Sequence, residues 1–331
     1  MFPSVYIVIL AWNSDDDIVE CLDSVYHLDY PNFKVLVVDN GSTDNTLVRV
    51  RGQFPQVHTL ENSRNLGFAA GNNVGIRYAL TEEADYIFLL NDDTIVLPDT
   101  VSILVRHAEQ DKSVGMLGPS VVSYFDHSNE FLGAVVNWQR GLTFQIQYSP
   151  DGVGVADHVA GCALFVKADV ARQIGLLDAN YFCYFEDTDW GVRCARAGYR
   201  VVTVFSSKVY HKGTPDNMQH TSPALLYYYR RNQCLFMRKH ATRRIRFLFY
   251  IRYANQCLVQ FYYLAKEQDS DRANAVLDGY WAGITGHYGE SRAQAPIWFK
   301  RVIYFSKGYL FWLATRVSKP ALPAVPVQHA G

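Results

Sequence analysis

The chain is poor in the features expected of a disulfide-built or membrane-spanning protein. Its six cysteines (Cys21, Cys162, Cys183, Cys194, Cys234, Cys257) form no CxxC pair and no dense cluster, so reduced thiols are expected. Met1-Phe2-Pro3-Ser4 leads directly into an apolar run without a basic stretch, and no secretory leader is expected. The longest candidate span, Tyr253 to Ala265, has 13 residues between Arg252 and Lys266, too short to cross a bilayer. No internal repeat stands out, and low complexity is confined to a Pro/Ala-rich tail from Lys319 that reads as disordered. The segment Ala11-Trp12-Asn13-Ser14-Asp15 is acidic and free of glycine, which argues against the glycine loop that grips a triphosphate in nucleotidyltransferases.

Acid is missing from one region altogether. From Asn217 to Lys266 there are nine Lys and Arg and no Asp or Glu. Residues 1–216 hold 15 Lys and Arg against 27 Asp and Glu, while residues 217–331 hold 16 against 5. A net charge of −1 therefore hides two regions of opposite field, which implies two different jobs. The 331 residues suffice for one large domain or two ordinary ones.

What is present in the acidic region is an alternation of strands and helices. Val5-Tyr6-Ile7-Val8-Ile9-Leu10 is a continuous apolar run, typical of a strand buried on both faces. Asn13 or Ser14 is placed to cap a helix whose first turn is Asp15-Asp16-Asp17 and whose inner face carries Ile18, Leu22 and Val25. Lys34 to Asp39 reads as a second strand, Val57–Leu60 as a third, and Tyr86-Ile87-Phe88-Leu89-Leu90 as a fourth, with helices between them. Val114–Val122, Gly141–Tyr148 and Ala160–Val166 read as further strands. The spacing predicts an α/β fold with a right-handed, mostly parallel sheet.

Chemistry gathers at the ends of these runs. Asp39 ends the second strand, and Asn91-Asp92-Asp93 ends the fourth. Glu186-Asp187-Thr188-Asp189-Trp190 opens a helix, and His211 closes the β-type run Val201–Tyr210. Open α/β sheets bind ligands at the carboxyl ends of their strands. Carboxylate, imidazole and diphosphate oxygens make a reasonable shell for Mn²⁺ or Mg²⁺.

Six segments, in order, resemble the family-2 glycosyltransferases of the GT-A fold, particularly rhamnosyltransferase-like members. They are Val8–Asn13, Val37–Asp44, Asn62–Asn73, Leu90–Thr94, Phe185–Trp190 with Arg193, and His211, spanning about residues 4–215. The resemblance implies an inverting transfer of a sugar, rhamnose from a dTDP donor, to a hydroxyl of a cell-surface glycan or lipid-linked acceptor. UDP-hexose or galactofuranose transfer, and a non-catalytic nucleotide- or glycan-binding relative, are the alternatives. Asn13, Asp39, Arg64, Asn91 and Asp92 would bind the donor, and Asp93 and His211 would hold the metal. The sequence departs from the family's Asp-x-Asp pattern by having Asn91 in the first position. Asp187 would be the general base, with Glu186 at the acceptor, orienting it or the base. Trp190 would either stack on an acceptor sugar or anchor its helix, and Gly161 would either let backbone approach the substrates or serve a tight strand entry.

The expected domains are a catalytic unit over 1–215, a basic, aromatic, mainly helical extension over 216–318, and a flexible tail over 319–331. The extension interleaves cations with aromatics, as in Tyr227-Tyr228-Tyr229-Arg230-Arg231 and Arg243–Tyr250. That composition points to an anionic membrane surface, with packing or homo-oligomer contact as the alternative reading. Nucleic acid is not expected, since no recognition motif accompanies the basic surface. The expected location is cytoplasmic, peripheral at the cytoplasmic face of the plasma membrane.

Overall fold

Alternate residues of the first apolar run enter opposite sides of a sheet. Val5, Ile7 and Ile9 join one hydrophobic cluster, and Tyr6 and Val8 join another. A strand that is apolar at every position is therefore one covered on both faces. The computed structural model describes residues 2–149, 152–213, 221–290 and 292–305. The expected tail over 319–331 lies outside the described residues.

The strands are β1 (Val5–Ala11), β2 (Phe33–Asp39), β3 (His58–Glu61), β4 (Tyr86–Asn91), β5 (Thr94–Val96), β6 (Val114–Ser123), β7 (Asn129–Phe131), β8 (Ala134–Asn137), β9 (Leu142–Gln145), β10 (Val153–Ala156), β11 (Ala163–Lys167) and β12 (Arg200–His211). The helices are α1 (Ile18–Tyr26), α2 (Thr46–Gln53), α3 (Gly67–Thr81), α4 (Thr100–Gln110), α5 (Ala168–Ile174), α6 (Glu186–Arg196), α7 (Pro223–His240), α8 (Arg243–Lys266), α9 (Ser270–Thr285) and α10 (Ile297–Phe305). The main sheet runs β10-β12-β6-β11-β4-β1-β2-β3, with β5 on β12 and β7 on β6. Strands β3, β2, β1 and β4 are parallel, the doubly wound half expected from the spacing. Beyond β4 the sheet is mixed, because β11 runs antiparallel to both β4 and β6. The segment expected as one strand over 141–148 is the second arm of a separate β8–β9 hairpin.

One cluster packs Ile18, Leu22 and Val25 of α1, Val50 of α2 and Leu104 of α4 against the sheet. The other packs Ala69 and Ile76 of α3, Val170 of α5, and Trp190 and Cys194 of α6. Each fully buried aliphatic side chain contributes about 1.5–3 kcal/mol. The cap expected for α1 takes another form. Asp17 occupies the N-cap without a capping bond from its side chain, and the Asn13 side chain turns away to Thr43. The three aspartates precede the helix rather than forming its first turn, because the Ser14 carbonyl closes a turn onto Asp17 and Ile18.

Contacts divide the chain into two compact units, Met1–Asn137 with Gly141–His220, and Trp138–Arg140 with Thr221–Gly331. In the second unit, Ser222, Thr242 and Asp269 cap α7, α8 and α9 through side-chain oxygens. Gly279 and Gly283 let α9 lie against the backbone of α7. A Cβ on Gly279 would come 2.5 Å from the Tyr227 carbonyl oxygen. No helix among the described residues is long and apolar enough to cross a membrane. Among the described residues no disulfide joins Cys21, Cys162, Cys194, Cys234 and Cys257.

Candidate active site at the carboxyl edge of the sheet

Register brings the motif ends to one edge of the first unit. Ala11 pairs with Asp39, and Leu10 pairs with Asn91, so β1, β2 and β4 finish together. Antiparallel β11 begins at that edge, with Ala163 opposite Leu90. Strand β12 ends there too. A three-residue irregularity between Val204 and Lys208 shifts its register, after which His211 pairs with Thr94. Bulges beside sites commonly re-aim a side chain in this way.

Near β1 and β2 the chain forms a polar cradle. Asp39 is buried, and its carboxylate accepts from the Ser42 N–H at 3.2 Å. Asn13, in the left-handed region at φ 51°, accepts from the Thr43 N–H at 2.8 Å. Gly41 has φ 77° and lies so close to Arg64 that a Cβ would sit 2.6 Å from the Arg64 Cα. Arg64 is itself exposed. Asn40, which the sequence reading passed over, accepts from the Leu66 N–H and donates to Asn65, fixing the loop that carries Arg64.

The β4 end carries the acids. Asp92 accepts from the Trp12 N–H at 3.2 Å, tying β4 to β1. Burial pushes its carboxyl up to about 6, and the adjacent Asp93 adds to the rise against the pull of Ser14 and Trp12. Asp93 faces His211, with Oδ1 3.4 Å from Nε2. Burial opposes its charge, yet His211 holds the Asp93 carboxyl below the ordinary value. The other ring nitrogen, Nδ1, lies 3.0 Å from Glu130 Oε1 on β7. Burial disfavours the imidazolium, but the two carboxylates outweigh it and raise His211 to about 10.

The residues present fit a divalent cation. Asp93 Oδ1 is buried without a hydrogen-bond partner. Two ligands sharing an ion at about 2.1 Å lie roughly 3 Å or slightly more apart, close to the separation observed here. Among the described residues no group of three or more His, Cys, Asp or Glu is arranged to hold a metal. Asp93 and His211 would therefore supply part of a shell and leave positions for a ligand's own oxygens. Gly213 crosses the ring, where a Cβ would come 2.4 Å from His211 Cε1.

Asp187 sits on the first turn of α6. Its Oδ1 accepts from the Thr188 N–H at 2.6 Å, and its Oδ2 accepts from the Gly161 N–H at 3.2 Å. The Cys162 carbonyl in turn accepts from the Asn91 N–H at 2.9 Å. The dipeptide Gly161-Cys162 thus bridges the β4 acids to Asp187. An added Cβ on Gly161 would meet only Phe68 at 3.4 Å and Asp187 at 3.5 Å, so protein packing alone does not demand glycine there. Beneath Asp187 lies His158, absent from the sequence reading. It is 5% exposed, both ring nitrogens lack hydrogen-bond partners, and Nδ1 is 3.9 Å from Asp187 Oδ2. Burial holds its ring below the ordinary imidazole value, against the opposing pull of Asp187.

The entry to α6 is strained. Phe182, Tyr184 and Phe185 all have φ between 64° and 72°. Such non-glycine conformations cost about 1–3 kcal/mol each and cluster at functional sites. Asp189 is fully buried and accepts from the Tyr181 hydroxyl and from Arg193 Nε at 2.8 Å. Arg193 also donates to the carbonyls of Ile174, Gly175 and Leu176.

Two acceptor expectations need correction. Trp190 is fully buried and donates its indole N–H to the Gly175 carbonyl at 2.7 Å, so its faces are covered by protein and it anchors α6. Glu186 is 5% exposed, and burial followed by repulsion from Asp187 raises its carboxyl well above the usual range. It lies beneath the site rather than on its surface. Trp12, Tyr124 and Phe125 are exposed aromatics at this edge.

Comparison with known proteins bears on the family and the fold. The family model described as "Glycosyl transferase family 2" matches residues 6–172. The dTDP-rhamnosyl transferase RfbF of Shigella flexneri is 26% identical over 248 residues, covering 72% of this chain and 81% of that protein. The N-acetylglucosaminyl-diphospho-decaprenol L-rhamnosyltransferase of Mycobacterium tuberculosis H37Rv is 28% identical over 203 residues, 54% of this chain and 66% of that protein. Among solved structures, GalNAc-T7 with UDP, GalNAc and Mn²⁺ aligns with a TM-score of 0.60 at 15% identity, covering 87% of this chain and 58% of that one. The mannosyltransferase PcManGT of Pyrobaculum calidifontis, in complex with GDP-Man and Mn²⁺, aligns at 0.53 and 19% identity, covering 96% and 87%. At these identities the structures speak for the fold alone.

Proposed function

The chain belongs to glycosyl transferase family 2, and from that premise we propose that it moves rhamnose from dTDP-rhamnose to a hydroxyl of a glycan or lipid-linked acceptor. The observation that carries this reading is the Gly161-Cys162 bridge, which ties a carboxylate outside the metal pair to the strand end bearing Asp93. The dTDP-rhamnosyl donor in one relative's name and the L-rhamnosyl transfer in the other's support the choice of sugar. A UDP-linked hexose in the same cradle is the second reading, because Asp39 could accept from a uracil N3–H as readily as from a thymine one.

In this reading Asp39, Asn13 and Arg64 bind the nucleotide, with Asn91 and Asp92 shaping the β4 end. Asp39 can accept from a pyrimidine N3–H or a ribose hydroxyl. Asp93 and His211 would hold Mn²⁺ or Mg²⁺, which would neutralise charge on the departing diphosphate. Asp187 takes the proton from the acceptor hydroxyl as its oxygen bonds to the anomeric carbon and the bond to the diphosphate oxygen breaks. A single displacement of this kind inverts the anomeric centre. A positioned carboxylate base is worth roughly 10²–10⁴ in rate.

The test is a thermal-shift panel of dTDP-rhamnose, UDP-galactose, UDP-glucose, UDP-N-acetylglucosamine and GDP-mannose, each with and without Mn²⁺. Ligand binding to the native state raises apparent stability by mass action. A metal-dependent shift with dTDP-rhamnose alone supports the full reading, and one with a UDP-sugar replaces the donor. No shift with any donor, in folded protein, removes the reading.

The second unit supports peripheral attachment to the cytoplasmic face of the plasma membrane. Helix α8 buries Phe249, Tyr253, Cys257 and Phe261 on one face. Its opposite face exposes Phe247, Leu248 and Ile251 beside Arg244 and Arg252. Apolar contact plus about 1 kcal/mol per surface arginine suits an anionic bilayer. Flotation with phosphatidylserine vesicles should carry the protein, and Phe247→Ser with Ile251→Ser should abolish it. Failure to float at low salt, or a stable dimer lost in the same variant, would instead assign this face to another contact.

A further inference from the structure

We propose that Glu130 is the positioning residue of the metal site: it fixes the ring orientation and tautomer of His211, so that Nε2 is the nitrogen offered to the cation beside Asp93. This rests on the reading that Asp93 and His211 hold the metal.

Backbone geometry aims Glu130 at this task. Strand β7 pairs with β6 through Phe131 opposite Val121 and Asn129 opposite Val122. Two residues are thereby spanned on β7 for one on β6, and Glu130 is the unpaired residue between them. Such a bulge frees a side chain from the strand's alternation and re-aims it. On the other edge of β6, Ser123 pairs with His211. The strand carrying the ligand and the strand carrying the acid therefore flank one central strand, and each reaches the site through an irregularity.

The contact has the geometry of an orienting pair. Glu130 Oε1 lies 3.0 Å from His211 Nδ1, and Asp93 Oδ1 lies 3.4 Å from Nε2, on the opposite side of the ring. The side chains of Glu130 and His211 are each only 15% exposed. With Nδ1–H donating to Glu130, the Nε2 lone pair is the one left to face a cation. Metal-bound histidines commonly donate their second nitrogen to a carboxylate, and losing that partner weakens metal affinity 10–100-fold. Glu130 Oε2 is buried without a hydrogen-bond partner. A carboxylate buried at such cost needs a compensating role, and His211 is the partner it has in the structure.

The test is Mn²⁺ binding to the full chain, read from the electron paramagnetic resonance of free Mn²⁺, alone and with dTDP or UDP. Wild type is compared with Asp93→Asn, His211→Ala, Glu130→Leu and Glu130→Gln. We expect the first two to lose binding and Glu130→Leu to weaken it 10–100-fold. Glu130→Gln, whose amide oxygen still accepts from Nδ1–H, should stay within a few-fold of wild type. If His211→Ala and Asp93→Asn bind as wild type does, the metal reading itself falls and this inference with it. If those two lose binding while folded Glu130→Leu keeps it, the inference alone is overturned. Should Glu130→Leu fail to fold, the ¹⁵N shifts of His211 in wild type with Mg²⁺ decide: a protonated Nδ1 supports the proposal, and a protonated Nε2 overturns it.

Discussion

Replacing Arg193 with methionine should destabilise the first unit far more than the loss of a surface charge would. Arg193 Nε is 2.8 Å from Asp189 Oδ2, and the Asp189 side chain is fully buried. The same guanidinium satisfies the carbonyls of Ile174, Gly175 and Leu176. Methionine keeps much of the packing volume but leaves a buried carboxylate without its cation, which costs about 3–5 kcal/mol. Asp189→Asn in the wild-type background should cost less, because it removes the charge and retains the shape and an acceptor for the Tyr181 hydroxyl. The double variant should then recover part of the Arg193→Met loss, with a coupling of about 1–3 kcal/mol. The assay is urea unfolding at pH 7, followed by near-ultraviolet circular dichroism, since Trp190 packs against the same Gly175 carbonyl. Strict additivity of the two substitutions would refute the buried-pair reasoning. A loss below about 1 kcal/mol for Arg193→Met would place the pair among exposed ones.

Three further outcomes follow from the same geometry. Asp187→Asn should lower turnover by roughly 10²–10⁴ while leaving donor affinity within a few-fold; weakened donor binding at unchanged rate would remove Asp187 from the base role. Glu186 carries a carboxyl raised well above its usual range by burial and by Asp187, so the native state keeps a proton that the unfolded chain releases near pH 4.3. Above that pH its contribution to stability falls by up to about 1.4 kcal/mol per pH unit until the raised native value is passed. Glu186→Gln should cancel this slope in urea midpoints taken from pH 5 to 8, and an unchanged slope would mean the carboxyl is ionised in the fold. Gly213→Ala should displace the His211 ring and weaken Mn²⁺ binding without a matching loss of stability, because the clash falls on His211 and not on the core.

The parallel half of the fold was legible because its strands are apolar at every position. Val5–Leu10 and Tyr86–Leu90 can be little else than strands covered on both faces. Their carboxyl ends were equally legible, since Asp39 and Asp93 follow directly on those runs. Less was visible where structure depends on pairing rather than pattern. Nothing in Ala163–Lys167 announces that it enters the sheet antiparallel, and the β8–β9 hairpin has too short a pattern to fix its register. Glu130 and His158 escaped for the same reason. Each lies in an irregular stretch without periodicity, made significant by a bulge and by the crossing of β8 near α6. Trp190 left two readings open, stacking on an acceptor or anchoring its helix, and helical periodicity with Cys194 turns it into the core.

The central claim is that Asp93 and His211 make a metal-dependent donor site at this edge of the sheet. Isothermal titration of dTDP-rhamnose into wild type with Mn²⁺, into wild type with EDTA, and into Asp93→Asn with Mn²⁺ tests it most directly. Binding in the first case, lost in the second and third, is the expected result. Equal binding in all three, or none to folded wild-type protein with Mn²⁺, would contradict it.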